Sequence, residues 1–243
     1  MLYQTLQNTT HKKLAILIDP DKQPPQSLLP LIHQAIACKV DLILVGGSLL
    51  MNSQFEQTIL TLKKNSTIPV VIFPGTNYQI SPNADALLLL SLLSGRNAEY
   101  LIGQHVAAAP FLKESGIEII STGYILIDGG INSSTAYITQ TLPIPNHKPD
   151  IAVATAIAGQ MLGMKLIYLE AGSGATHTVS SEIVNAVKKN ITVPLLVGGG
   201  IQTGKQARQL CQAGADIIVV GNSLEKDPTL LLEIAQAVHG FNS

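Results

Sequence analysis

The chain has 243 residues and a mass of 25.7 kDa, so we expect one compact domain spanning residues 1–243. Apolar residues make up 46% and charged residues 13% of the sequence, against about 25% charged in a typical domain. This composition excludes an intrinsically disordered chain and a coiled coil. The formal net charge is −1 and no basic cluster occurs, so the sequence predicts no nucleic-acid partner.

The two cysteines favour a reducing compartment. Cys38 and Cys211 show neither a CxxC spacing nor a nearby histidine pair, which is typical of reduced core thiols rather than of a disulfide framework or a zinc site. The longest apolar runs fall well short of the ~18 residues that a membrane crossing needs, and the first residues lack a signal-peptide core. We therefore expect a cytoplasmic protein without a transmembrane segment.

Eight short apolar runs are predicted to be β-strands. Runs such as LILV, LIYL and IIVV are continuously hydrophobic, as in parallel strands that are buried on both faces. The predicted strands lie at 14–18, 41–45, 70–73, 86–90, 118–121, 165–169, 193–197 and 216–220.

Amphipathic stretches alternate with these runs and predict seven helices. They lie at 26–38, 53–64, 98–115, 151–162, 180–189, 203–213 and 229–239. Between the third and fourth strands, residues 74–85 are too rich in Pro, Gly and Asn for a helix, so a loop is predicted. Residues 128–150 are predicted to form a long irregular loop that is mobile and acts as a lid or binding loop.

Alternating strands and helices indicate an α/β protein. The segments VDLILVGGS (40–48) and ADIIVVGNS (215–223) resemble each other, which favours repeated β/α units. We therefore predict a (β/α)8 TIM barrel with the third helix replaced by a loop, in preference to an open doubly wound sheet. In such barrels the reactive groups lie at the carboxyl ends of the strands.

Two of these strand ends carry candidate metal ligands. The first strand ends in IDPDK, which puts Asp19 at the rim, and the second ends in VGGS, which offers the Ser48 hydroxyl. A carboxylate at this position suits Mg²⁺, which prefers oxygen ligands and is commonly shared with substrate phosphates. Each residue also has a purely structural interpretation, as a turn or helix-cap residue.

The sixth strand runs into YLEAGSGA, residues 168–175. The strand period puts Tyr168 and Glu170 on one side. A carboxylate that faces the barrel mouth can accept a substrate hydroxyl proton as a general base, whereas a structural glutamate would be paired with a nearby cation. Gly172, Ser173 and Gly174 would bring backbone N–H groups close to an anion.

The last two strands end in glycine turns that are typical of a phosphate site. The seventh ends in VGGGI, with Gly199 and Gly200, and the eighth in VVGNS, with Gly221 and Asn222. Loops after strands 7 and 8 of such barrels, supported by a helix N-terminus, commonly hold a phosphate. Glycine turns without a ligand are also common.

Taken in order, IDPDK, VGGS, YLEAGSGA, VGGGI and VGN resemble geranylgeranylglyceryl phosphate synthases and the related bacterial heptaprenylglyceryl phosphate synthases. The resemblance covers nearly the whole chain, and YLEAGSG is its most specific element. The AGSG form and the short loop in place of the third helix resemble the second group of this family.

The resemblance implies Mg²⁺-dependent transfer of geranylgeranyl from geranylgeranyl diphosphate to the 3-hydroxyl of sn-glycerol 1-phosphate, with release of pyrophosphate. In such a transfer Glu170 is the expected catalytic residue, because its carboxylate can take the hydroxyl proton, and the resemblance assigns Asp19 and Ser48 to the metal. It also implies a homo-oligomer, dimer or hexamer, and the amphiphilic product allows transient contact with a membrane. The implied glycerol 1-phosphate residues are Tyr168, Leu169, Glu170, Ala171, Gly172, Ser173, Gly174, Gly199, Gly200, Gly221 and Asn222.

One position departs from the family pattern. The first group carries a lysine two residues before the metal aspartate, where this chain has Leu17, and Lys22 is the candidate replacement. We expect the prenyl tail to follow the gap left by the third helix, lined by Phe73 and Leu88, with Tyr78 and Tyr124 near its mouth.

Two other functions remain open on the residues alone. One is a sugar-phosphate isomerase or aldolase that uses Glu170 or Asp19 as its base and needs neither Mg²⁺ nor a long apolar groove. The other is a non-catalytic barrel that binds a phosphometabolite.

Overall fold

The computed structural model describes residues 1–242, and the side chains of all of these except 225, 226 and 242. Eight parallel strands follow one another in chain order around a closed barrel, and the last strand pairs with the first. The predicted TIM barrel is confirmed. The strands are β1 (Lys13–Ile18), β2 (Leu42–Val45), β3 (Val70–Ile72), β4 (Ala86–Leu92), β5 (Glu118–Leu126), β6 (Leu166–Glu170), β7 (Leu195–Gly198) and β8 (Ile217–Val220).

Helices cover the outside of the barrel. They are α1 (Leu2–Gln7), α2 (Leu28–Ala37), α3 (Phe55–Asn65), α4 (Gln104–Ser115), α5 (Ser134–Thr139), α6 (Pro149–Met161), α7 (Ser181–Asn190), α8 (Gly204–Ala213), α9 (Asn222–Lys226) and α10 (Leu230–His239). Within residues 1–242, none of these helices combines the length and apolar character that crossing a membrane requires.

Each predicted helix is present, with shifted ends. The stretch predicted as one helix at 98–115 begins with a π-helical turn, Glu99–Gly103, before α4 starts. The short helices α1, α5 and α9 were not predicted, because five or six residues carry too little of a helical period to be recognised.

The segment 74–85 between β3 and β4 contains turns and no helix, so the predicted replacement of the third helix by a loop is confirmed. Because the third helix is missing, one side of the barrel is covered by a loop. An apolar groove, described below, lies under this loop.

Two predictions about the middle of the chain were wrong. The segment 128–150 is not wholly irregular, because it contains α5, whose first turn is capped by the Ser133 hydroxyl. An isolated parallel bridge also joins Ile127 to Ile144. In addition, β5 continues to Leu126 rather than ending at Ser121, since Thr122 and Gly123 remain paired with β6.

Side chains alternate between two apolar layers along each strand. On β6, Leu166 and Tyr168 belong to the cluster inside the barrel, whereas Ile167 and Leu169 belong to the layer between barrel and helices. This alternation is the ordinary consequence of a period of two in a closed barrel. It directs the next inward residue, Glu170, into the mouth of the barrel.

Candidate active site

A cavity of about 570 Å³ opens at the carboxyl ends of the strands. Its walls come from the ends of β1, β2, β6, β7 and β8 and from the short helix α5. The predicted site residues that line it are Asp19, Ser48, Tyr168, Glu170, Gly172, Ser173, Gly174, Gly199, Gly200, Gly221 and Asn222. The fold therefore brings residues that are distant in the sequence together at the mouth of the barrel.

Asp19 lies against the glycine turn that ends β2. A Cβ added to Gly47 would be 3.1 Å from Asp19 Oδ1, so a side chain here would push the carboxylate back by a few tenths of an ångström. Oδ1 accepts a hydrogen bond from the Asp21 N–H at 3.1 Å, and Lys22 Nζ is 3.4 Å from Oδ2. The carboxylate is thus held at the rim beside a cation.

Ser48 follows that glycine turn and is 3.1 Å, Oγ to Oγ1, from Thr135 of α5. Asp21 accepts hydrogen bonds from the N–H groups of Met51 at 2.5 Å and Asn52 at 3.2 Å. These contacts fix the segment after Ser48 next to Asp19. The two predicted metal ligands therefore come from neighbouring strands and share one edge of the cavity.

Glu170 reaches the cavity from β6 and is 7% exposed. Its Oε1 accepts a hydrogen bond from the Gly172 N–H at 2.7 Å. Burial raises the pKa of Glu170, against the opposing effects of Tyr168 and of the Gly172 N–H. A carboxylate of raised pKa in a cleft is the electrostatic character expected of a general base.

Tyr168 lies next to Glu170 in the interior of the barrel mouth. Its ring is 5.4 Å from that of Phe73 and 5.5 Å from that of Tyr124, centroid to centroid. Burial raises the pKa of Tyr168 well above its ordinary value, and so does the nearby Glu170 carboxylate. Among the described residues the Tyr168 hydroxyl has no hydrogen-bond partner of ordinary geometry, which suits a polar ligand in the cavity.

Two residues predicted to bind substrate point elsewhere. The side chains of Leu169 and Ala171 are fully or almost fully buried in the layer between barrel and helices. They alternate with Tyr168 and Glu170, so the strand period turns them away from the cavity. Ala171 also uses its N–H to bond Gly198 O at 3.0 Å. At these two positions a substrate can contact only backbone atoms, and their assignment to the substrate stays a prediction.

Glycine turns after β7 and β8 form the part of the cavity wall between Glu170 and Asp19. Gly199 and Gly200 have φ values of +82° and +71°, which L side chains rarely adopt. A Cβ on Gly199 would lie 2.5 Å from Glu170 Oε1 and 2.7 Å from Gly172 N. The turn after β7 thus packs against the YLEAGSG segment without space for a side chain.

The turn after β8 completes this wall. Gly221 lies against β1, with a Cβ on Gly221 placed 3.2 Å from Leu17 Cβ, and Asn222 begins the five-residue helix α9. Leu17 itself lines the cavity. The position that carries a lysine in the first group of the family therefore presents an apolar side chain to the site.

A narrow apolar groove lies under the segment 74–80. It is formed mainly by side chains of β4 and α4, including Leu87, Leu89, Ala108 and Leu112. Tyr124 lines both this groove and the cavity, as predicted for a residue at the mouth.

The two residues predicted to line this path lie elsewhere. Phe73 lines the cavity and Leu88 faces the barrel interior. Tyr78, predicted near the mouth, is 87% exposed, and its neighbours Asn77 and Gln79 line the groove. The sequence placed the groove on the correct side of the barrel, but it did not identify the lining side chains correctly.

Several lining residues were not predicted from the sequence. Thr135 and Ile138 belong to α5, which was not recognised as a helix. Gln79 is a buried polar residue in a segment interpreted only as a loop. A single polar residue within a turn segment shows no hydrophobic period. The sequence therefore contains no pattern that would have identified Gln79.

Comparison with known proteins agrees with this architecture. The model of the PcrB family matches residues 7–238. The geranylgeranylglyceryl phosphate synthase of Spirosoma linguale is 49% identical, over 95% of this chain and 93% of that protein. The protein of the same name from Chitinophaga pinensis is 50% identical, over 94% of this chain and 90% of that protein.

A solved structure is also similar. It is the (S)-3-O-geranylgeranylglyceryl phosphate synthase of Thermoplasma acidophilum in complex with its substrate sn-glycerol-1-phosphate. It superposes with a TM-score of 0.94 at 34% identity and covers 99% of both chains. With a family model that matches almost the full length and relatives near 50% identity, the chain belongs to the PcrB family.

Proposed function

We propose that this chain transfers geranylgeranyl from geranylgeranyl diphosphate to the 3-hydroxyl of sn-glycerol 1-phosphate, with release of pyrophosphate. The observation that carries the proposal is the position of Glu170. Its buried carboxylate lines the same cavity as Asp19, Ser48 and the glycine turns after β7 and β8. Around the rim these turns lie between Glu170 on β6 and Asp19 after β1, so groups suited to two anionic substrates share one cavity with a base.

The glycine turns are the proposed site of the glycerol phosphate group. Close-approaching backbone without Cβ atoms suits a phosphate, and loops after strands 7 and 8 hold phosphates in many barrels. The bound sn-glycerol-1-phosphate of the Thermoplasma acidophilum enzyme supports this choice of acceptor. The Tyr168 hydroxyl, which lies beside the Glu170 carboxylate, offers a further hydrogen bond to the same substrate.

Glu170 is the proposed catalytic base. Breaking the allylic C–O bond places positive charge on the prenyl carbon and negative charge on the leaving pyrophosphate. The glycerol hydroxyl attacks that carbon, and its proton passes to the carboxylate of Glu170. Holding the hydroxyl and the allylic carbon together supplies much of the advantage, because the reaction becomes effectively intramolecular.

Mg²⁺ is the proposed cofactor at Asp19 and Ser48. Within residues 1–242 no cluster of three or more His, Cys, Asp or Glu side chains suits a metal. Mg²⁺ in diphosphate sites is commonly held by one or two carboxylates together with substrate oxygens and water, so one carboxylate and a hydroxyl fit it. When bound, the ion would neutralise charge on the leaving group. Lys22, which pairs with Asp19, is the proposed cation in place of the first-group lysine.

The apolar groove is the proposed prenyl site. Burial of the tail gains roughly 0.8 kcal/mol per CH2-sized unit. Tyr124 lines both the groove and the cavity, so the proposed tail site is adjacent to the proposed diphosphate site. A sugar-phosphate isomerase would have no use for such a groove.

The proposal also includes a homo-oligomer, dimer or hexamer, in the cytoplasm. Several large apolar side chains are exposed, including Val106, Phe111, Met161 and Leu162, and a second copy could cover them. Both cysteines are buried and unpaired, which fits a reducing compartment. Light scattering and size-exclusion chromatography test the oligomer directly.

The decisive assay mixes labelled sn-glycerol 1-phosphate, geranylgeranyl diphosphate and Mg²⁺ and measures label in an organic extract. We expect extraction of the label by the wild-type chain and its loss with Glu170→Gln or after chelation of Mg²⁺. Glu182→Gln, an exposed residue of α7, is the matched control and should extract as much label as wild type. Extraction that is unaffected by Glu170→Gln contradicts the proposed role of this residue.

A further inference from the structure

Gln79 is a buried amide that connects the groove to the metal side of the cavity. It is 2% exposed. Its Nε2 donates a hydrogen bond to Gly47 O at 2.9 Å, and its Oε1 accepts one from the Gly75 N–H at 3.3 Å. Gln79 also lines the apolar groove. One side chain therefore contacts the proposed tail site and the turn that carries Ser48.

The two backbone segments joined by Gln79 are packed without intervening space. A Cβ on Gly75 would lie 2.7 Å from Ser48 Cα, and a Cβ on Gly46 would lie 2.9 Å from Gln79 Oε1. Glycine at both positions lets the segments touch directly. A displacement of the segment 74–80 is therefore transmitted to the Gly46–Ser48 turn rather than absorbed by solvent or by a flexible side chain.

We propose that Gln79 is a positioning residue that couples occupancy of the groove to the geometry of the Gly46–Ser48 turn. The inference rests on the proposed function, in which the tail fills the groove and the diphosphate lies near Ser48. A tail packed under residues 74–80 fixes Gln79, and Gln79 then fixes Gly47 and Ser48 where the pyrophosphate departs. Binding energy of the unreactive tail is thereby used at the reacting centre.

This coupling makes a specific kinetic prediction. If the tail only added affinity, a longer prenyl group would lower KM and leave kcat unchanged. If it orders the turn through Gln79, a tail that reaches the groove raises kcat as well. The quantity to measure is the ratio of kcat for geranylgeranyl diphosphate to kcat for dimethylallyl diphosphate, whose short chain does not extend along the groove.

The main test is Gln79→Met, which keeps the volume and the apolar contact but removes both hydrogen bonds. We expect the kcat ratio to fall about tenfold, which corresponds to ~1.4 kcal/mol, while KM for sn-glycerol 1-phosphate stays unchanged. Gln160→Met is the matched control. Gln160 Oε1 accepts a hydrogen bond from the Thr192 N–H at 2.7 Å, just before β7 enters the barrel at the far end, so the ratio should be unaffected.

A second variant keeps the test decisive if Gln79→Met does not fold. Glu in place of Gln79 can donate to Gly47 O only when protonated, so with Gln79→Glu the kcat ratio should rise as the pH falls. Titration of Glu170 affects both substrates and cancels in the ratio. A purely structural role for Gln79 predicts no such pH dependence.

The outcomes separate this inference from the proposed function. If wild type forms no ether product from either diphosphate, the proposed function fails. If wild type is active and Gln79→Met keeps the wild-type ratio, or lowers both rates by one factor, the coupling is refuted and the proposed function stands. A pH-independent ratio for Gln79→Glu also refutes the coupling.

Discussion

At the scale of single residues, the burial of Glu170 links activity and stability to pH. Burial raises the pKa of Glu170 above its ordinary value, and the base must be ionised. We expect kcat to fall as the pH decreases through this raised pKa. A pH–rate profile with single-turnover measurements checks it, and a limb at the ordinary carboxyl pKa would contradict the assignment.

The stability of the fold should change with pH in the direction opposite to the change in kcat. The folded state holds its proton on Glu170 to a higher pH than the unfolded state does, so ionisation of the buried carboxylate lowers stability as the pH rises between the two pKa values. Glu170→Gln removes this penalty. We expect a variant that is inactive and yet at least as stable as wild type at neutral pH, measured by chemical denaturation. A large loss of stability would show that Glu170 is structural.

Gly199 permits a test of the proposed phosphate wall. The methyl group of an alanine at position 199 would clash with Glu170 Oε1 and with the Gly172 nitrogen, and the backbone φ of +82° would be strained. We expect KM for sn-glycerol 1-phosphate to rise at least tenfold. Gly163 has a similar φ of +86° but nothing within 4 Å of an added Cβ. Gly163→Ala therefore reproduces the backbone strain, about 1–3 kcal/mol, without the clash, and should leave KM unchanged.

At the scale of elements, the loop in place of a third helix gives the barrel its groove. Ala108 of α4 lines the groove and is buried, whereas its neighbour Ala109 is exposed. Ala108→Phe should fill the groove and raise KM for geranylgeranyl diphosphate while dimethylallyl diphosphate and sn-glycerol 1-phosphate bind as before. Ala109→Phe is the control. Equal losses for long and short diphosphates would place the tail elsewhere.

The elements that sequence reasoning could find were those with a periodic signal. The strands and the seven longer helices are long enough to show a period, and Asp19, Ser48 and Glu170 follow from strand ends. Helix α5 has only six residues and lacks such a signal, so Thr135 was missed. The motif covers Leu169 and Ala171 as well, but the strand period turns their side chains outward, so only their backbone can face the substrate.

At the scale of the whole molecule, Asp216 joins the last strands and helices of the barrel. It is 1% exposed. Its Oδ2 accepts a hydrogen bond from the Leu195 N–H at 2.9 Å and pairs with Lys188 Nζ at 2.5 Å, and Lys12 lies 3.4 Å from Oδ1. Leu195 belongs to β7, Lys188 belongs to α7, and Lys12 directly precedes β1.

Asp216→Ala should therefore destabilise the fold. Removing the carboxylate leaves a buried N–H and two cations without this partner, which costs about 3–5 kcal/mol. Lys63→Ala removes an ion pair in which both side chains are about one-third exposed and should change stability by at most about 1 kcal/mol. Urea denaturation of the two variants makes the comparison. A similar small change in both would show that Asp216 adds little.

Pairing of β8 with β1 has a consequence for synthesis of the protein. Asp19 leaves the ribosome early, whereas Gly221 and Asn222 emerge some two hundred residues later. The cavity is therefore incomplete until the final strand docks between β7 and β1. The long-range pairing that closes the barrel, which is expected to be slow, is thus also the step that completes the catalytic site.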